Sequence, residues 1–101
     1  MSKLLNTKET SAIARKLFIK KYKKEDFPSN YLEKLSSNCD PYHTSKCHFI
    51  EFAFCLKNMA PFVLFSVIVD RESGEAQIIE AKDISSLPKL EELDSDNMCL
   101  N

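Results

Sequence analysis

The sequence predicts an α+β fold: an N-terminal amphipathic helix packed on a three- to four-stranded antiparallel meander. Three observations carry that reading. Apolar residues recur three and four positions apart between Ile13 and Tyr22, and the apolar period drops to two from Cys47 onward. The chain's single glycine, Gly74, stands between two strand-like runs, as a hairpin requires. At 101 residues, 44% of them hydrophobic, the chain supplies one modest core, and one domain spanning 1–101 is expected.

Each element follows in chain order. Asn6 and Glu9 have the spacing of a capping box, so a helix starts at Thr7. Ile13, Ala14, Leu17, Phe18 and Tyr22 form its apolar stripe, and Lys16, Lys20, Lys23 and Lys24 occupy much of the rest. About four turns are expected, ending before Pro28, whose ring disfavours helical geometry in the residue ahead of it. "SNYLEKL" reads as a short second helix capped by Ser29, and "SSNCDPYHTSK" as a loop of turn-forming residues.

In "CHFIEFAFCLK" the residues Ile50, Phe52, Phe54 and Leu56 share one face, which is assigned to the core; His48 lies in phase with Ile50. "KNMAP" supplies a turn, and "FVLFSVIVD" is apolar enough for a central strand covered on much of both faces. "RESGE" forms the hairpin loop with Gly74 at positive φ, and "AQIIEAK" returns as the next strand. "DISSLPKLEEL" reads as a short turn or helix packed by Ile84 and Leu87, and residues 94–101 as a frayed tail. The helix stripe supplies the cover that a sheet with one apolar face needs. For a fourth strand, residues 38–46 and the tail both stay open.

Chemistry is tested motif by motif. Cys39, His43, Cys47 and His48 fall within ten residues, but they lack knuckle spacing, and adjacent strand residues such as Cys47 and His48 point to opposite faces. No metal is expected there. The same geometry weakens a Cys/His nucleophile pair. Glu91 with Glu92, or Asp94 with Asp96, lack the rigid surroundings that would split carboxylate pKa values for acid/base work. One glycine excludes phosphate-cradling loops, and no cofactor is expected. In "ARKLFIKKYKK" the aromatics that would stack on bases belong to the core stripe, and the pI near 6.1 is far from basic, so no nucleic-acid partner is expected.

"MSKLLNTKETSAIARK" has no apolar run of signal-peptide length, and no stretch approaches the roughly 20 residues that span a bilayer. A cytoplasmic, membrane-free protein is expected, with Cys39, Cys47, Cys55 and Cys99 as reduced thiols. Charge is lopsided. Residues 1–25 hold eight Lys/Arg against two Glu, whereas residues 70–101 hold nine Asp/Glu against three Lys/Arg.

The element order and the stretch "MAPFVLFSVIVDRESGEAQII" resemble PepSY-type, nuclear-transport-factor-like and cystatin-like small α+β domains, in which a Val-Asp-x-x-[Ser/Thr]-Gly-Glu hairpin recurs. They also resemble the small bacterial immunity proteins of polymorphic toxin systems of the contact-dependent inhibition type. The likeness covers residues 47–82 in motif and 7–82 in element order. It implies a non-enzymatic cytoplasmic protein that binds one cognate toxin and blocks its active site or its access to target. Many such toxins are nucleases with basic clefts, which gives the acidic end a physical use: opposite charge steers association and competes with phosphates. Glu80, Asp83, Glu91, Glu92, Asp94 and Asp96 are the residues expected on that toxin-binding surface. Two rivals stay open: a homodimeric adaptor pairing through an exposed sheet edge, and a ligand-binding or enzymatic domain with His48 or Glu51 facing a cavity between helix and sheet.

Overall fold

The computed structural model describes residues 4–40, 46–57 and 59–93. Helix α1 spans Thr7–Lys21 and is followed by 3-10 turns at Lys24–Asp26 and Leu32–Lys34. Strands β1 (Leu35–Asp40), β2 (Cys47–Phe54), β3 (Phe62–Asp70) and β4 (Ala76–Ala81) form one antiparallel sheet in chain order. Two more 3-10 turns, Ile84–Ser86 and Leu90–Glu92, follow. The architecture is α+β, a meander with the N-terminal helix packed over β2 and β3.

The capping box forms as its spacing dictates: Asn6 Oδ1 accepts from Glu9 N at 2.8 Å, and Glu9 Oε1 accepts from Asn6 N at 2.9 Å. The stripe faces the sheet, with Ala14, Phe18 and Tyr22 buried, and it extends one turn earlier through buried Thr10. The helix stops at Lys21, well before Pro28, so the proline does not end it. Tyr22 turns extended (φ −122°) and sets its ring 5.0 Å from Phe18 and 5.7 Å from Phe65. Its hydroxyl donates to the Lys82 carbonyl at 2.7 Å. A tertiary anchor therefore terminates the helix.

Two expectations fail between the helix and β2. The short helix expected from "SNYLEKL" shrinks to the 3-10 turn Leu32–Lys34, and Ser29 does not cap it, because Asn30 takes φ 71° and breaks the run. Tyr31 then anchors the segment, its hydroxyl donating to the Pro88 carbonyl at 2.7 Å. The expected loop "SSNCDPYHTSK" begins instead with strand β1, paired from Leu35↔Phe54 to Asp40↔Phe49, so of the two sources left open for a fourth strand, residues 38–46 supply its second half. Ser and Asn are weak strand formers, but the exposed ladder of β2 supplies partners that local propensity cannot weigh.

Within the sheet, Ile50, Phe52 and Phe54 are buried on the helix side as their period requires, with Phe65, Val67 and Val69 beside them. A bulge in β3, where Phe52 pairs with Phe65 and Ala53 with Val63, leaves Leu64 as the extra residue. Leu64 and Phe65 are consecutive and both fully buried, which an unbulged strand covered on one face does not allow. At the hairpin, Asp70 Oδ1 accepts from Glu72 N and Ser73 N, and Gly74 takes φ +79°. A Cβ there would meet Ile13 and Leu5 only at ordinary contact distance, so the backbone angle, and not crowding, calls for glycine.

Ile84 and Leu87 pack against the core, and Leu93 is buried and bridges Leu56. Cys55 is held in a disulfide, against the expectation of four reduced thiols. Among the described residues, no helix is long and apolar enough to cross a membrane. Residues 94–101, read as a frayed tail, lie outside the described residues, as does His43.

Candidate functional site

Four of the six acidic residues singled out by sequence, Glu80, Asp83, Glu91 and Glu92, fall at the end of β4 and on the chain that follows it. Glu80 sits near the end of β4, and its carboxylate lies 3.3 Å from Lys82 Nζ. Asp83 follows on the surface, and its carbonyl accepts from Ser86 N and Ser86 Oγ. Both charges reach Tyr22: burial first, then Asp83 and Glu80, push its hydroxyl pKa above the usual 10.0. Glu91 and Glu92 are exposed on the last 3-10 turn. Glu92 accepts from Lys89 N through its side chain and from Lys57 N through its carbonyl, which ties this turn to the end of β2. Asp94 and Asp96 lie outside the described residues. Glu80 and Asp83 are thus brought together around Lys82 and Tyr22, with Glu91 and Glu92 further along the same crossing segment.

A cavity of about 370 Å³ lies between the second half of α1 and β1, with Tyr22 on its lining. Phe18, Phe27 and Phe52 line it as a ring cluster, with Phe18 stacked 4.8 Å from Phe52 and 6.1 Å from Phe27. Leu32, Leu35 and Ser37 make the opposite wall, and Arg15 and Lys24 stand exposed on its rim. It exists because α1 packs over β2 and β3, leaving the core-facing side of β1 without a helix above it. The sequence pattern places Lys24 on a solvated face, Leu35 in a short helix and Ser36 and Ser37 in a loop, so this wall carries no signal in it. The ring cluster was legible only as core.

His48 and Glu51 do not line this cavity, which corrects the ligand-binding expectation built on them. Glu51 pairs with Ser66 and Asn38 on the face turned away from the helix, since Ile50 and Phe52 on either side of it face the core. His48 is buried, only 3% exposed, and its Nδ1 lies 2.9 Å from Thr10 Oγ1. Burial, with a smaller contribution from the Arg71 charge, pulls its imidazole pKa below 6.5. That is the setting of a satisfied core histidine. Arg71 itself stitches the entry to α1 onto the sheet, its Nε donating to the Leu5 carbonyl at 2.8 Å. Cys47 pairs with Asp70 on the face opposite His48, and no group of three metal-ligating side chains gathers among the described residues.

No family model, curated protein or solved structure matches this chain.

Proposed function

We propose that the chain is a non-enzymatic immunity protein that binds a basic protein toxin, such as a nuclease, and occludes its active site. The observation that carries the reading is the exposure of Glu80 at the end of β4 and of Asp83, Glu91 and Glu92 on the segment that follows it, with the cations of α1 on a separate element. Glu80 has a cation partner in Lys82, but that pair is partly solvated and yields readily to a stronger cationic surface. Such a segment raises association rates with a basic partner and competes with the phosphates that partner would otherwise hold. The resemblance of "MAPFVLFSVIVDRESGE" to immunity proteins supports the same reading.

The test is a tagged capture from the native host followed by titration of the recovered partner at low and high salt. Recovery of a stoichiometric toxic protein that this chain neutralises supports the proposal. Replacing Glu80, Asp83, Glu91, Glu92, Asp94 and Asp96 by their amides then slows association by about tenfold or more at low salt. An unchanged on-rate removes the acidic surface from the interface, and capture of the chain alone, as monomer or dimer, removes the toxin.

A further inference from the structure

The cavity beside β1 has the form of a ligand site, and its chemistry names the ligand class. Its volume, about 370 Å³, falls toward the small end of the roughly 300–1,000 Å³ range of small-molecule pockets. The inner wall is aromatic, from Phe18, Phe27 and Phe52, and can bury a hydrocarbon tail or ring. Every charged side chain on its lining is cationic: Arg15 from α1 and Lys24 from the turn that follows. Neither makes an ion pair among the described residues, so both heads are available to an anion. An arginine at such a rim offers a planar fork that matches a carboxylate, and the lysine adds a point charge.

We propose that this cavity binds a small amphipathic carboxylate, with its apolar body on the Phe18, Phe27 and Phe52 rings and its carboxylate between Arg15 and Lys24. The site uses the opposite charge from the acidic segment proposed to meet a protein partner: none of Glu80, Asp83, Glu91 and Glu92 lines it, and Tyr22 is the residue that borders both. A neutral molecule of the same shape fills the same wall and leaves both cations solvated. Discrimination between the two therefore resides in Arg15 and Lys24.

The test is an amide-resolved NMR titration of the full chain with decanoate, using decanol as the neutral analogue, each kept below its aggregation threshold. Decanoate is expected to saturate and to shift the amides around Ser37, Phe52 and Phe27, with decanol about tenfold weaker at the same amides. The double substitution Arg15→Gln with Lys24→Gln, at two exposed positions, brings decanoate down to the level of decanol without altering the fold. Ser37→Trp, exposed on β1 and directed at the cavity wall, abolishes the shifts for both. Equal binding of decanoate and decanol, decanoate binding unaffected by the double substitution, or no saturable shift at these amides overturns the proposal. The spectra of the variants report folding directly, so loss of binding and loss of structure are told apart.

Discussion

The two edges of the sheet are built from the same meander and finish differently. At the β4 edge the chain returns on itself. Lys82 donates its amide to the Leu64 carbonyl at 2.9 Å and its Nζ to the Val63 carbonyl at 2.6 Å, with Nζ over the Phe62 ring. The carbonyl of Lys82 receives the Tyr22 hydroxyl, so one residue joins helix, bulge and edge. A second bulge, at Ile79 between Ser66↔Glu80 and Val67↔Ile78, distorts the strand and discourages addition of a further one. At the β1 edge no helix covers the strand, Leu35 is half-buried, Ser37 is exposed, and a cavity remains. Closure consumes the polar groups of one edge in structure, whereas the open edge leaves Arg15 and Lys24 exposed beside the cavity.

The largest effect that sharpens this contrast is in the core beside the closed edge. Phe65→Ala, at a fully buried site next to the bulge, should cost about 3–5 kcal/mol in denaturant unfolding. Leu35→Ala on the cavity wall should cost less than half of that, because its side chain is already partly solvated. Equal losses would mean that the two edges are equally packed.

Tyr22→Phe removes the hydroxyl that ties the helix end to Lys82 and should cost about 1–2 kcal/mol near neutral pH. Its pH signature is separate. Because the folded-state pKa of Tyr22 is raised above 10.0, its contribution is complete below pH 10 and is lost as pH rises through the elevated value. The phenylalanine variant should therefore show a shallower alkaline decline than the parent.

His48 governs the acid side. Its folded-state pKa is lowered, so the unfolded chain binds the proton more readily. Stability from this residue is complete above pH 6.5 and falls as pH drops below it toward the depressed value. Melting temperature followed from pH 7.5 to 5 should decline, and His48→Gln should flatten the decline; identical slopes would detach His48 from acid sensitivity.

The smallest effect lies on the surface of the closed edge. Glu80→Gln breaks a partly exposed ion pair with Lys82 and should change stability by under about 0.5 kcal/mol, less at high salt. A loss well above 1 kcal/mol would make the pair a structural part of the closure.

How much was legible follows from the range of the interactions involved. The capping box, the stripe on α1, the period-two face of β2 and the Gly74 hairpin are set by contacts a few residues apart, and sequence spacing alone placed them. Of the acidic residues, exposure of Glu80, Asp83, Glu91 and Glu92 was legible as a charge run, but their arrangement along a crossing segment was not. Strand β1 was only partly legible: residues 38–46 stood open as a fourth strand, but Ser36 and Ser37 favour turns, and only the neighbouring ladder of β2 makes Leu35–Asp40 extended. The cavity was invisible for the same reason, since one of its walls is that strand. The sequence by itself determined the fold class, the helix start and the hairpin, all fixed by short-range hydrogen bonding and periodicity. Tertiary structure alone decided the helix end at Tyr22, the bulge that buries Leu64 with Phe65, and which edge of the sheet stays open. Each of those depends on partners outside the local helix or turn, from Ala53↔Val63 at the bulge to Tyr22 and Lys82 at the helix end, which no local pattern encodes.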